Sequence, residues 1–213
     1  KKLSYDPVAD FSPITMMFVT PMYLYVNPSV PAKNTAELIA LAKAKPGKLT
    51  FASIGPITAA HVLGEMFKSE AGVDMLHVPF KGGPEATNAL ISGQVDIYFN
   101  GNNSMAQVKQ GKARVIASAG VKRSEERPDL PTIAEAGVPG VDLLPWFGLF
   151  GPAGMPRALV ERLNREFVAM LKSPAMKERA TQMGVEIVTS TPAALTNQIK
   201  LETPQLSKVL LKA

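Results

Sequence analysis

The chain has no cysteine. Thiol catalysis, disulfide bracing and cysteine-held metal sites are therefore excluded. Aromatic residues are sparse, with one tryptophan and four tyrosines among 213 residues. No apolar run reaches the roughly 18 residues that a membrane-spanning helix needs. Blocks of like charge stop at two or three residues, so the net charge of +5 does not come from a basic stripe. A nucleic-acid surface built from clustered Lys and Arg with interleaved aromatics is not supported. Scattered surface cations remain, and they suit an anionic small ligand. The sequence contains no H-E-x-x-H, no D-x-D-x-D-G loop, no G-x-x-x-x-G-K-[ST] and no G-x-S-x-G. Zinc-protease, EF-hand, P-loop and nucleophile-elbow chemistry lose their sequence support with these motifs. There is no leader pattern at K-K-L-S-Y-D-P. The expectation is that a leader, or more than a leader, has been removed.

What is present is an ordinary globular balance, 46 % hydrophobic and 19 % charged. The chain is organised around Leu49 to Asn100. Leu49–Ala52, Met75–Val78 and Val95–Phe99 are short apolar runs that predict strands. Between the first two, Ser53 to Ile57 contains Gly and Pro, which break regular structure. Thr58 is placed to cap a following helix whose apolar face is Val62, Leu63, Met66 and Phe67. Strands alternating with helices predict a parallel sheet with ligands at the strand ends. Helix N-termini there offer unpaired N–H groups and a positive dipole end, so an anion is the natural guest.

Outside this stretch, Ile14–Val26 is apolar and β-prone but carries Pro21, which predicts two strand pieces. Asn34 and Glu37 form a capping box for a helix that ends at Pro46-Gly47. A short helix is expected over Ser104–Gln110, and a strand over Ala113–Ala119. A charged loop follows over Val121–Pro131, then a helical turn over Thr132–Ala136. Pro145–Phe150 reads as a strand. Pro156 opens an amphipathic helix with an apolar stripe of Leu159, Val160, Leu163, Phe167, Val168 and Leu171. Glu161 and Arg165 are expected to pair on its polar side. Ser173-Pro174 starts another helix, Val185–Val188 reads as a strand, and Thr191-Pro192 begins the last helix, where Pro204 is expected to kink it.

The candidate site residues cluster in the central stretch. Ser53 and Thr58 are neutral hydroxyls beside a helix N-terminus, suited to holding a carboxylate without acting on it. Thr58 reads equally well as a simple cap. The Ala59 and Ala60 amides belong to the same helix start. Asn100 ends a strand at the same edge and offers an amide donor, or stabilises a turn. Lys81 is either a counter-charge or an exposed loop cation. Trp146 either walls a cleft or packs in a core. The two histidines, His61 and His77, read more simply as packed, hydrogen-bonded residues than as ligands. A hydrolase built on Ser53 and His61 is the enzymatic alternative, carried only by their eight-residue spacing.

Four motifs then occur in order: H-V-P-F-K-G-G-P-E-A, G-Q-V-D-I-Y-F-N, R-P-D-L-P-T-I-A-E-A-G-V-P-G and W-F-G-L-F-G-P-A-G-M-P. Together they resemble the Bug family, the TctC-type extracytoplasmic receptors of tripartite tricarboxylate transporters, from about Tyr5 almost to the C-terminus. The resemblance implies an α/β fold of the periplasmic-binding-protein type II, or Venus-flytrap, kind. It implies a non-catalytic bacterial periplasmic receptor without cofactor or metal. Its ligand would be a dicarboxylate, tricarboxylate or aromatic acid, and its partners the membrane permease subunits. By this resemblance residues 15–140 form a nearly complete second lobe. Residues 1–14 and 141–213 form the remainder of a first lobe truncated at its start. The ligand-binding loop falls on Ser53 to Ala60. The family carries more hydroxyls there, where this chain has Ile54, Pro56, Ile57, Ala59 and Ala60. It often has an acidic residue at Asn100, so an amino-acid ligand is disfavoured. A truncated lobe predicts apolar exposure along 159–171 and self-association to cover it. The competing readings are a receptor fragment without binding activity and a LysR-like ligand-sensing domain.

Overall fold

Proline at position 21 interrupts the apolar run 14–26, and the chain divides there into strands that join different sheets. β1 (Phe11–Val19) enters a three-stranded sheet and β2 (Tyr23–Val26) a five-stranded one. The structure, a computed structural model, describes residues 4–124 and 127–210, with the side chains at 208 and 210 excepted. Positions 125 and 126 of the expected charged loop lie outside the described residues, as do 1–3 and 211–213 of the expected first lobe. The chain falls into two compact units. The first comprises Lys1–Thr20 and Trp146–Ser207; the second is built on Pro21–Pro145.

In the second unit, α1 (Thr35–Ala44) starts on Asn34, whose Oδ1 accepts the Glu37 N–H at 2.9 Å. Glu37 returns its carboxylate to the Lys33 N–H at 2.7 Å, one residue earlier than a simple capping box. β3 (Thr50–Ser53) leads into α2 (Ala59–Ala71), β4 (Leu76–Pro79), α3 (Gly83–Ser92) and β5 (Ile97–Asn100). A 3-10 turn and the short α4 (Met105–Lys109) then lead to β6 (Arg114–Ser118). The strand order is β4-β3-β5-β2-β6. β3 runs parallel to β4 and β5, as the strand–helix alternation predicts. β2 runs antiparallel to β5 and β6, so the sheet is mixed rather than parallel. The crossover rule governs only strands joined through α2 and α3, and β2 enters from the other unit through Pro21.

The motifs have local physical reasons. Asp96 Oδ2 accepts both the Thr50 N–H (2.8 Å) and the Thr50 hydroxyl (2.9 Å), tying β3 to the start of β5. Gly93 ends α3 with φ +78, a left-handed cap that glycine adopts without steric cost. In R-P-D-L-P-T-I-A-E-A, Arg127 grips Asp129 through two nitrogens at 2.9 and 2.7 Å. Thr132 and Glu135 cap each other at 3.0 and 2.8 Å. The core between sheet and helices holds Phe51, Leu63, Phe67, Leu90, Tyr98 and Phe99, all essentially inaccessible. Gly64 of α2 lies directly on Phe51, where a Cβ would come within 2.1 Å of the ring.

In the first unit, β1 pairs antiparallel with β7 (Trp146–Pro152) from Phe11↔Pro152 to Val19↔Trp146. α5 (Arg157–Leu171) packs on β1, followed by α6 (Pro174–Met183), β8 (Glu186–Ile187) and α7 (Pro192–Leu210). The sheet order is β7-β1-β8. Asn164 of α5 donates to Ile14 O and Ser190 O, both at 2.8 Å, and locks helix, strand and tail together. In the α5 stripe only Leu171 is fully buried, and Leu159 is 43 % exposed. Glu161 pairs with Arg157 at 2.7 Å, one turn before it, rather than with Arg165. Pro204 lies inside α7.

Candidate functional site

Three parallel strand ends, those of β4, β3 and β5, lie side by side in the second unit. The loop after β3 begins at Ser53, whose side chain is buried. Its Oγ lies 2.6 Å from His77 Nε2 and accepts the Gly55 N–H at 3.1 Å. The loop then turns through Gly55 (φ +119) and Ile57 (φ +68). A left-handed conformation costs a non-glycine residue about 1–2 kcal/mol, and β-branched residues avoid it most. Ile57 adopts it with its side chain 70 % exposed. Its amide donates to His61 Nδ1 at 3.2 Å.

Thr58 stands at the N-cap of α2 as expected, but its hydroxyl does not cap the helix. Oγ1 donates instead to Gly55 O at 2.7 Å and closes the loop on itself. The first-turn amides of α2, at Ala59, Ala60 and His61, are thus left without a side-chain cap. Such amides have no acceptor within their own helix, and the dipole adds to their attraction for an anion. Asn34 caps α1 and Ser173 caps α6 with a side chain, whereas α3, α4 and α5 start without one, as α2 does.

One strand over, Ser53 stands opposite Pro79, and the Phe80 N–H donates to Ser53 O at 2.8 Å. Lys81 follows with an exposed side chain, and its N–H reaches Glu85 Oε2 at 3.2 Å. α3 starts without a side-chain cap, on Gly82. On the other side, Asn100 ends β5. Its Oδ1 accepts the Gly101 N–H at 2.9 Å and its Nδ2 donates to Ser104 Oγ at 2.8 Å, which fixes the amide's orientation. Asn100 lines a cavity of about 390 Å³ with Gly83, Pro84, Thr87, Asn88, Asn103 and Gln107. Every side chain in that lining is uncharged.

Beneath the loop, the rings of Phe51, His77 and His61 stack, with centroids 4.9 Å apart for the first pair and 4.2 Å for the second. Burial pushes the His77 pKa below its ordinary value; nearby His61 acts the same way, Glu65 opposes, and Lys68 adds a smaller push down. A Ser–His contact is the starting arrangement of nucleophilic catalysis. Here the serine is shut off from solvent, and its histidine partner is His77, not the His61 of the hydrolase alternative. The contact braces the loop.

Ser53, Thr58, Ala59, Ala60, Lys81 and Asn100 thus share one sheet edge. Trp146 belongs to the first unit. Its Nε1–H donates to Glu202 Oε2 at 2.5 Å, and it lines an apolar cavity of about 400 Å³ with Tyr5, Phe11, Phe150, Ile199 and Leu206. The cavity residues Thr87, Asn88, Asn103 and Gln107 had no sequence signal. The Ser53–His77 contact had one in principle: Phe51 faces His77 and Ser53 faces Pro79 across the parallel ladder, so Ser53 and His77 share a face. Among the described residues no group of three or more His, Asp or Glu side chains could hold a metal ion.

Two α/β units, one with uncapped helix N-termini at its strand ends, define the class of periplasmic binding proteins. The chain belongs to the TctC family, the tripartite tricarboxylate transporter family receptors, whose family model matches residues 1–213. This is a family of solute receptors, not enzymes. The chain is 32 % identical over 213 residues to the UPF0065 protein in the tcbD-tcbE intergenic region of Pseudomonas sp. strain P51. That match covers 99 % of this chain and 63 % of the relative. Among solved structures it is similar to R. palustris Rpa4515 with adipate, with a TM-score of 0.87 and 30 % identity, over 98 % of this chain and 70 % of the other. It is also similar to MatC (Rpa3494) from Rhodopseudomonas palustris with bound malate, with a TM-score of 0.83 and 28 % identity, over 99 % and 73 %. The chain spans 56–63 % of the length of three such curated relatives, less than two thirds. Among the described residues no helix is long and apolar enough to cross a membrane.

Proposed function

We propose that the chain is the ligand-binding part of a periplasmic receptor that captures a small organic carboxylate for the permease subunits of a tripartite tricarboxylate-type transporter. The observation that carries this reading is the open N-terminus of α2, where Thr58 turns its hydroxyl to Gly55 and leaves the Ala59 and Ala60 amides to an incoming carboxylate. The uncharged cavity at Asn100 takes the rest of the ligand, and the exposed Lys81 before α3 supplies a counter-charge. In this reading the unit built on Pro21–Pro145 acts as the second lobe expected over 15–140, and Lys1–Thr20, with all of β1, and Trp146–Ser207 act as part of the first. The adipate and malate bound by the two similar structures support a small carboxylate as ligand, and an aliphatic acid with two carboxylates is the first candidate.

Calorimetric titration with adipate and malate tests the proposal directly. The variant Ala59→Asp places a carboxylate at the helix start, where it suits the dipole but occupies the anion's place. Binding is expected to weaken at least tenfold while thermal stability is kept or raised. Wild-type protein that binds neither acid, nor any other member of a di- and tricarboxylate panel, would refute the proposal.

A further inference from the structure

One group at this edge has a fixed geometry that the binding of a carboxylate does not itself require. His61 sits in the first turn of α2, and its Nδ1 accepts the Ile57 amide at 3.2 Å. We propose that His61 is the positioning residue of the carboxylate loop: its unprotonated Nδ1 holds Ile57 in the left-handed turn that presents the first amides of α2, and a proton on that nitrogen releases the turn and weakens binding. The inference rests on the receptor reading for its consequence, but the loop device stands on its own geometry.

Three observations support it. Ile57 occupies a conformation that a β-branched residue avoids, and its side chain, 70 % exposed, has little packing to keep it there. The backbone is held instead by polar contacts, the Ile57 amide on His61 and the Thr58 hydroxyl on Gly55 O at 2.7 Å. The His61 ring is itself held rigidly. It stacks on His77 at 4.2 Å, His77 stacks on Phe51 at 4.9 Å, and Ser53 Oγ pins His77 Nε2 at 2.6 Å. An acceptor role for Nδ1 requires the neutral tautomer with its hydrogen on Nε2. That nitrogen faces Glu65 Oε1 at 3.9 Å, which suits a hydrogen there.

Protonating Nδ1 sets one N–H against another, and the contact is lost. The charged groups around the ring are His77 from β4 with Glu65 and Lys68 from α2; Phe51 of β3 is neutral. Glu65 lies 3.9 Å from Nε2 and pairs with Lys68 at 3.0 Å. Burial keeps His77 a neutral stacking partner to lower pH than an ordinary imidazole.

The chain has only two histidines, so long-range 1H–15N spectra of the ligand-free protein contain two imidazole systems. The expected result is an Nε2-protonated His61 at pH 8. As it titrates towards pH 5, the Ile57 amide shift should follow the same curve, and its intrinsic-rate-corrected hydrogen exchange should speed at least tenfold. His61→Asn supplies an amide oxygen in place of Nδ1 and does not titrate; Ile57 should then stay protected across the range. His61→Leu removes the acceptor and should leave Ile57 unprotected at every pH. In calorimetry with adipate, wild-type affinity should fall about tenfold more between pH 7.5 and 5.0 than that of His61→Asn, which shares any effect of the acid's own protonation. An Ile57 amide indifferent to the His61 titration, or protected as in wild type in His61→Leu, overturns the proposal. So does an identical pH dependence of binding in wild type and His61→Asn. If adipate binds to neither protein, the receptor reading fails on that ligand, while the spectra still decide the loop device.

Discussion

Replacing Gly64 with alanine isolates the contact on which the binding edge rests. In an exposed helix this change stabilises, by about 1 kcal/mol, because alanine is the better helix former. At Gly64 the new methyl would stand 2.1, 2.5 and 2.8 Å from three ring carbons of Phe51. Contacts below 3 Å force something to move. The ring cannot easily do so: it is fully buried, stacked on His77 and covered by the Lys68 ammonium at 5.9 Å from its centroid. Overpacking of this kind costs about 1–3 kcal/mol or more. The upper part of that range applies here, so a net loss of about 1–2 kcal/mol remains after the helix-propensity gain is subtracted. Urea unfolding followed by circular dichroism measures it. Phe51→Leu provides the partner arm: alone it destabilises by roughly 1–2 kcal/mol through the lost ring volume, and with Gly64→Ala the two losses should add to less than their sum by about 1 kcal/mol. A Gly64→Ala protein as stable as wild type, or strict additivity in the double variant, would refute the packing argument.

Four further outcomes follow from the structure. Asn34→Ala should cost about 1 kcal/mol in urea unfolding, because it removes the acceptor for Glu37 N–H and loosens the reciprocal carboxylate. Ile57→Gly should raise stability by roughly 0.5–1 kcal/mol in thermal melts, since relief of left-handed strain exceeds the entropy that glycine brings to the unfolded chain. Asn164→Ala should destabilise by about 1–3 kcal/mol, as the Ile14 carbonyl loses this donor and the Ser190 carbonyl keeps only the Thr15 hydroxyl. His77 has a folded pKa below its ordinary 6.5, so the unfolded chain binds the proton more readily. The stability that neutral His77 contributes is complete above pH 6.5 and is lost as the pH falls from there through the lower folded value. The urea midpoint should drop between pH 7.5 and 5, by less in His77→Gln.

The sequence reveals its element boundaries well where proline and glycine punctuate it. Pro21 separates β1 from β2, Gly82-Gly83 opens α3, and Ser173-Pro174 opens α6, each as local backbone chemistry requires. What escapes a local reading is pairing at a distance and conformations that a residue type disfavours. The antiparallel direction of β2 depends on strands 70 or more residues away, and no side chain in Tyr23–Val26 announces it. The Thr58 position is legible, but its hydroxyl has two possible partners and takes Gly55 O. The left-handed turn at Ile57 runs against β-branched preference, so propensity points away from it. Asn100 is legible as a strand end; its cavity is not, because Thr87, Asn88, Asn103 and Gln107 come from two other segments.

Because all the strands of the second unit lie within Pro21–Pro145, between the two segments of the first, the two sheets complete at different times during synthesis. Everything that builds the five-stranded sheet has left the ribosome by residue 145. β1 emerges earlier still, yet Ser12 awaits Pro152, 140 positions on, and Thr15 awaits Ser190, 175 positions on. At about 5–20 residues per second, that is a wait on the order of 10–30 s. Throughout it, an apolar strand carrying Ile14, Met16 and Val19 lacks its β7 and β8 partners, a template for wrong pairing. β1 is thus made before the second unit yet secured only after it, and conditions that slow translation should raise aggregation through β1 before they disturb the binding edge.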